Sequence, residues 1–229
     1  MSQDPLDHGR LRRRVMAGDP TLGVFVGSAS AVTGEVCAAA GADWLLLDLE
    51  HGAGGEEQVR GLVPAAAAYG VPTLVRVESA ARIRSGRVLE LGAAGVMLPR
   101  LDRAAGDILG VVQIESAAAV AQAGEIAALD GADVLFVGPR DLSHDLGVPG
   151  DVTAPSFTAA LDQVRRAARE HGKACGLLVA DGAAAATRQA EGWTFVAIGS
   201  DTTLLATAVA SNLARARAWA GLNGKKEHA

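Results

Sequence analysis

Eight short runs of almost unbroken apolar residues recur along the chain, and they constrain the fold more than any other feature. They are Leu22–Val26, Trp44–Leu47, Thr73–Val77, Val96–Leu98, Leu109–Ile114, Val134–Val137, Ala174–Val179 and Phe195–Ile198. Runs of this length without polar alternation suit parallel strands covered on both faces. Helical patterns separate most of them. In one, Phe157, Leu161, Val164 and Ala168 share a face, Arg165, Arg166, Arg169 and Glu170 lie mostly opposite, and Gly172 closes the element. Similar helix-to-strand joints occur at 40–43, 91–94 and 130–133. Eight strands alternating with helices predict a single (β/α)8 TIM barrel rather than an open sheet. At 229 residues the chain falls slightly below the ~250 typical of that fold. Residues 1–20 and 221–229 read as tails.

One joint departs from the pattern. Between the fourth strand, ending near Pro99–Leu101, and the fifth, beginning near Ile108, lie only Asp102 to Asp107. A crossover between parallel neighbours ordinarily takes a dozen residues or more, usually as a helix. Either a helix and loop are deleted here or a segment is missing from the sequence; physical plausibility favours the second.

The formal net charge of −5 and a pI of about 5.5 argue against nucleic acid or an anionic membrane as a partner. The first twenty residues are polar and lack the apolar core of a secretion signal, so the expected location is the cytoplasm. Cys37 and Cys175 lie in apolar patterns and are expected to be reduced core thiols.

Active sites of α/β barrels lie at the C-terminal ends of the strands. The polar residues expected there are Asp48, Glu50 and His51 after the second strand, Arg76 in the third, and Gln113 and Glu115 in and after the fifth. Gly138, Pro139, Arg140 and Asp141 follow the sixth. Each also has a plainer reading. Asp48 can cap a helix, His51 can be a solvated loop residue, and Glu115 and Asp141 can be helix-start carboxylates. Asp201 reads as a cap of the last helix. Arg76 in an apolar strand is harder to dismiss, because a buried guanidinium needs an anionic partner.

Two carboxylates on adjacent strand ends suit a hard divalent cation that keeps positions open for a bidentate 2-oxo acid. Such a metal acts as a Lewis acid, an arginine adds charge stabilisation, and a histidine moves a proton. The alternative imine route needs a lysine at the substrate carbonyl. The chain has three lysines: Lys173 precedes the seventh strand, and Lys225 and Lys226 lie in the tail. Metal-assisted enolate chemistry is therefore favoured.

The runs Trp44-Leu-Leu-Leu-Asp48-Leu-Glu-His51, Leu74-Val-Arg76-Val, Val112-Gln-Ile-Glu115-Ser and Val137-Gly-Pro-Arg-Asp141-Leu-Ser143 resemble the HpcH/HpaI aldolases of the pyruvate/phosphoenolpyruvate barrel superfamily. The resemblance extends from about Leu22 to Trp219. It implies a class II pyruvate aldolase that cleaves 4-hydroxy-2-oxo acids with Mg²⁺, Mn²⁺ or Co²⁺. It makes Glu115 and Asp141 the metal ligands, and His51, paired with Asp48, the acid–base group. Arg76 becomes the group that stabilises the enolate. Gln113 lines the site, the backbone at Gly138, Pro139 and Arg140 receives the carboxylate, and Leu204 lines the aldehyde side. It also implies a homo-oligomer, a hexamer or trimer, whose last helices are exchanged; the face formed by Leu205, Val209, Leu213 and Trp219 is compatible with exchange and equally with ordinary packing. Two features depart from the family pattern: Arg140 stands where many relatives have a smaller residue, and the helix and long loop between strands four and five are missing. The alternatives within the superfamily are an acyl-CoA lyase resembling the citrate-lyase β chain and an oxaloacetate-type decarboxylase. A non-catalytic binding barrel is the alternative from another class.

Overall fold

A computed structural model describes residues 9–79, 82–99 and 108–223. Helix α1 (Gly9–Met16) leads into β1 (Thr21–Val26), α2 (Ala31–Ala39), β2 (Trp44–Asp48), α3 (Glu56–Ala67), β3 (Thr73–Arg76), α4 (Arg82–Glu90) and β4 (Gly95–Leu98). Then follow β5 (Leu109–Ile114), the short helices α5 (Ala117–Ala121) and α6 (Ala123–Ala127), β6 (Val134–Val137), α7 (Pro139–Asp145) and α8 (Pro155–Glu170). The chain continues through β7 (Ala174–Val179), α9 (Gly182–Ala190), β8 (Phe195–Ser200) and α10 (Asp201–Asn223). The eight strands form a closed barrel in sequence order, every pair parallel.

Alternation along the strands explains why the sequence runs are apolar throughout. In β2, Trp44 and Leu46 point into the barrel, where they meet Phe25, Leu74, Met97, Val111, Phe136 and Phe195. Leu45 and Leu47 point outward and join Leu62 and Val59 of α3 in the layer between barrel and helices. A second outer cluster packs Phe157, Leu161 and Val164 of α8 against Leu135 and Val137. Within the barrel Trp44 stacks on Phe195, ring centroids 4.2 Å apart and planes within 2°. A side chain at position 23 would overlap the Trp44 ring, which is why β1 carries Gly23 there. Gly172, at φ +65°, lets α8 turn directly into β7.

Residues 9–16 do not behave as part of a loose tail. Leu11 and Val15 of α1 are buried and belong to the interior cluster, closing the N-terminal end of the barrel. Arg12 clamps Asp133 with two hydrogen bonds of 2.9 Å, and Asp133 also accepts the Gly110 backbone N–H at 3.1 Å. Arg14 reaches Asp43 at 2.9 Å. Helix α10 lies at the other extreme: Leu205, Val209, Leu213 and Trp219 are exposed, Trp219 at 70%. The other two tryptophans, Trp44 and Trp193, are buried. Residues 224–229, in the expected C-terminal tail, lie outside the described residues.

Strands β4 and β5 pair in register, Gly95 opposite Leu109, although only residues 99–108 join them. The return from Leu98 to the level of Gly95 is about 10 Å along the strand and about 5 Å across. Ten residues can span about 33 Å, so the connection is long enough for this return. Residues 100–107, on which the expectation of a deleted or missing helix and loop falls, lie outside the described residues. Both cysteines are free thiols, and burial pushes the Cys175 thiol up to about 11. Among the described residues no helix is long and apolar enough to cross a membrane.

Candidate active site

The inward alternation that builds the core also builds the site. Above Trp44 and Leu46 the next inward residue of β2 is Asp48; above Leu74 on β3 it is Arg76. Asp48 and Arg76 are register partners on adjacent parallel strands. Arg76 donates to Asp48 through Nε to Oδ1 at 2.9 Å and Nη2 to Oδ2 at 2.6 Å, and both residues are buried. The same Asp48 Oδ1 accepts the backbone N–H groups of Glu50 and His51, each at 3.1 Å. Burial pushes the Asp48 carboxyl up, but the Arg76 hydrogen bonds and charge, with the two backbone donors, outweigh it and leave its pKa lowered. Phe25 lies under the guanidinium, its ring centroid 5.5 Å from Cζ.

Glu50 was noted in the sequence but given no role. Its Oε2 lies 3.1 Å from Arg76 Nη1, so the guanidinium bridges two carboxylates. The spacing 44, 46, 48, 50 continues the inward face of β2 past the strand end, and that periodicity was the available signal. The His51 imidazole is 63% exposed, and Nε2 stands 3.8 Å from Glu50 Oε2. The expected pairing of the His51 ring with Asp48 is therefore corrected: Asp48 is occupied by Arg76 and contacts His51 through the backbone.

On the far side of the mouth, Gln113 is the inward residue above Val111, and Glu115 follows β5 directly. Gln113 Nε2 donates to Glu115 Oε1 at 2.7 Å. Burial raises the Glu115 pKa; the Gln113 hydrogen bond and the Arg76 charge oppose this, and the nearby charges of Asp141 and Glu50 add to it. Gly138, at the end of β6, presses so close that a Cβ there would overlap the Glu115 carboxylate. Pro139 opens α7, Arg140 is exposed, and Asp141 lies in the first turn facing solvent. Leu204, half-buried in the first turn of α10, packs beside Gly199 at the mouth of β8.

These residues fit a divalent cation of the Mg²⁺ type. Glu115 is a carboxylate kept uncomfortable by burial and by like charge from Asp141, which a cation would relieve. Among the described residues no group of three or more carboxylates, histidines or cysteines could hold a metal ion. Such ions are commonly held by one or two carboxylates and keep several waters. Lys173 lies at the opposite end of the barrel, at the start of β7; Lys225 and Lys226 are outside the described residues.

Asp201 does more than cap. Its carboxylate accepts the Thr202 N–H at 2.8 Å, but also Gly27 N–H at 2.9 Å, Ser28 N–H at 3.3 Å, Thr33 Oγ1 at 2.8 Å and the Ser28 hydroxyl. It clasps the β1–α2 loop to the start of α10.

The HpcH/HpaI aldolase/citrate lyase family model matches the chain over residues 21–110 and 103–208. The chain belongs to this family. The two matched stretches meet where β4 joins β5. A hydroxypyruvate/pyruvate aldolase of Deinococcus radiodurans is 32% identical over 248 residues, covering 91% of this chain and 89% of that one. Since 91% of 229 residues is about 208, about 40 of the 248 aligned positions have no residue here. A 4-hydroxy-2-oxo-heptane-1,7-dioate aldolase of Escherichia coli is 31% identical over 87% of this chain and 91% of its own. The crystal structure of an HpcH/HpaI aldolase/citrate lyase family protein from Burkholderia cenocepacia superposes with a TM-score of 0.83 at 28% identity, covering 91% of this chain and 99% of that one.

Proposed function

We propose that this chain is a divalent-metal-dependent aldolase that reversibly cleaves 4-hydroxy-2-oxo acids to pyruvate and an aldehyde. The observation that carries the reading is the convergence of Glu115, Asp141, Gln113 and the Arg76–Asp48 pair on one barrel mouth, in a family whose relatives include pyruvate aldolases. Glu115 and Asp141 hold Mg²⁺, Mn²⁺ or Co²⁺. The metal supplies Lewis acidity toward the oxo acid.

The chain's own residues do the rest. A guanidinium has five N–H donors. Arg76 commits two to Asp48 and pairs with Glu50 by charge at Nη1, leaving donors for the keto oxygen, where negative charge grows as the C3–C4 bond breaks. Asp48 and Glu50 fix that orientation. His51 reaches from the rim, with Glu50 beside it, to take the proton of the C4 hydroxyl. Gln113 holds Glu115 in place, the backbone of Gly138, Pro139 and Arg140 receives the carboxylate, and Leu204 borders the aldehyde. The enzyme works in the cytoplasm as a homo-oligomer, with the exposed apolar face of α10 covered by a neighbouring copy.

Pyruvate release from a panel of 4-hydroxy-2-oxo acids, in EDTA and after restoring each metal, tests the reading. Activity is expected to vanish with chelator, return with metal, and be lost in Glu115→Ala and Asp141→Ala. Undiminished activity in EDTA that survives both substitutions overturns it.

A further inference from the structure

At the N-terminal end of the barrel, opposite the mouth that holds Glu115, lies a cavity of about 620 Å³. It forms where α1, α8 and α9 run out beside the starts of β1, β7 and β8. Helix α8 lines it with Arg165, Arg166 and Arg169, and the α8–β7 joint adds Lys173. Four cations around one cavity is a marked concentration in a chain of net charge −5 with three lysines. The two carboxylates on its wall are already engaged, Asp162 by Arg165 at 2.8 Å and Glu191 by Arg188 at 2.8 Å.

Helix C-termini attract cations, and that accounts for part of the cluster. Arg169 lies in the last turn of α8, and Arg165 donates to the Glu191 carbonyl past the end of α9 at 2.7 Å. It does not account for Arg166, a turn further back, or for Lys173, half-buried beyond the helix. Among the described residues neither makes an ion pair or a side-chain hydrogen bond. A partly desolvated ammonium is costly without an anion nearby.

We propose that this cavity binds a small molecule bearing a diphosphate, of the size of a nucleoside diphosphate. The volume falls within the range of about 300–1,000 Å³ usual for small-molecule sites and exceeds what a free phosphate needs. The cations all come from α8 and the joint that follows it. Arg166, Arg169 and Lys173 face the phosphates, where guanidinium groups bind phosphoryl oxygens in pairs. The stretch of lining from Val15 to Gly18 is uncharged and receives the body of the ligand. The strands separate the two ends of the barrel by roughly 13–20 Å, so the ligand does not compete with the oxo acid.

Calorimetric titration of ADP and of adenosine into the full chain, with EDTA present to prevent metal chelation, tests the site. ADP is expected to bind one per chain and adenosine not at all. Arg166→Ala and Lys173→Ala should each weaken ADP by about tenfold, the loss of one charge-assisted contact. Arg166 is exposed, so its removal places little burden on the fold. Aldolase turnover with metal and without ADP should stay within about twofold of the parent in both variants, since neither residue touches the mouth, and pyruvate should leave ADP affinity unchanged. The proposal is overturned by no ADP binding at millimolar concentration, by equal binding in the two variants and the parent, by adenosine binding as well as ADP, or by displacement with pyruvate.

Discussion

Removing one member of the Arg76–Asp48 pair does not have the same consequence as removing the other. Arg76→Met leaves the buried Asp48 and the half-buried Glu50 without their cation. Breaking a buried pair in this way typically costs about 3–5 kcal/mol, and urea denaturation should show a loss of that order. Asp48→Asn keeps the backbone-facing oxygen, so its cost should depend on pH. The folded-state pKa of Asp48 is lowered, so its stabilising contribution is complete above the unfolded value near 3.9 and disappears as pH falls through the folded value. The stability gap between the parent and Asp48→Asn should therefore narrow below about pH 4. Glu115 runs the other way. Its folded-state pKa is raised, so in the absence of metal its ionisation destabilises the fold as pH rises through that value. Glu115→Gln should raise the Tm of the metal-free protein at neutral pH, lose that advantage on acidification, and abolish metal-dependent turnover. A lowered neutral-pH Tm in this variant would contradict the account of Glu115 as a carboxylate disfavoured by burial and like charge.

At the scale of elements, the α1 cap carries a prediction of its own. Arg12→Ala removes two hydrogen bonds from Asp133, a carboxylate only 2% exposed, while the Gly110 N–H remains. Arg12 itself is partly solvated, so the expected loss is about 1–3 kcal/mol, measurable by denaturation with activity retained. The strands were legible in the sequence because both of their faces are buried, leaving nearly continuous apolar runs that are interrupted or ended by Asp48, Arg76 and Glu115. The cap was not legible. Gly9–Met16 offers two inward apolar residues, Leu11 and Val15, among four arginines, and two positions do not make a periodicity. The arginines gave no sign that their partners were Asp133 and Asp43, which sit in distant joints. Glu50 was likewise hidden, because a carboxylate past a strand end looks like a loop residue until the inward period is extended to it. The partner of the His51 ring could not be read either, since adjacency along the chain does not say which carboxylate an exposed imidazole faces.

For the molecule as a whole, two features set the expectations. The barrel closes with β4 and β5 paired in register although only ten residues join them. The second feature is α10, whose apolar residues point away from the barrel. Leu205, Val209 and Leu213 recur at four-residue intervals, a pattern that ordinarily packs against something. Leu213→Glu should shift the protein from an oligomer toward a monomer in sedimentation velocity, with the barrel's far-UV signal unchanged. A parent protein that already sediments as a monomer would remove the basis for a covered α10.

The placement of the three tryptophans has a practical consequence. Trp44 lies in the barrel interior against Phe195, Trp193 is buried two residues before β8, and Trp219 is exposed on α10. The same intrinsic fluorescence therefore carries two separable reports: one emitter population shielded from acrylamide until the barrel opens, and one open to the quencher unless something lies over the last helix. In a Trp219→Phe background the quenching curve tracks the barrel alone. The difference from the parent then gives the accessibility of α10, without any attached dye.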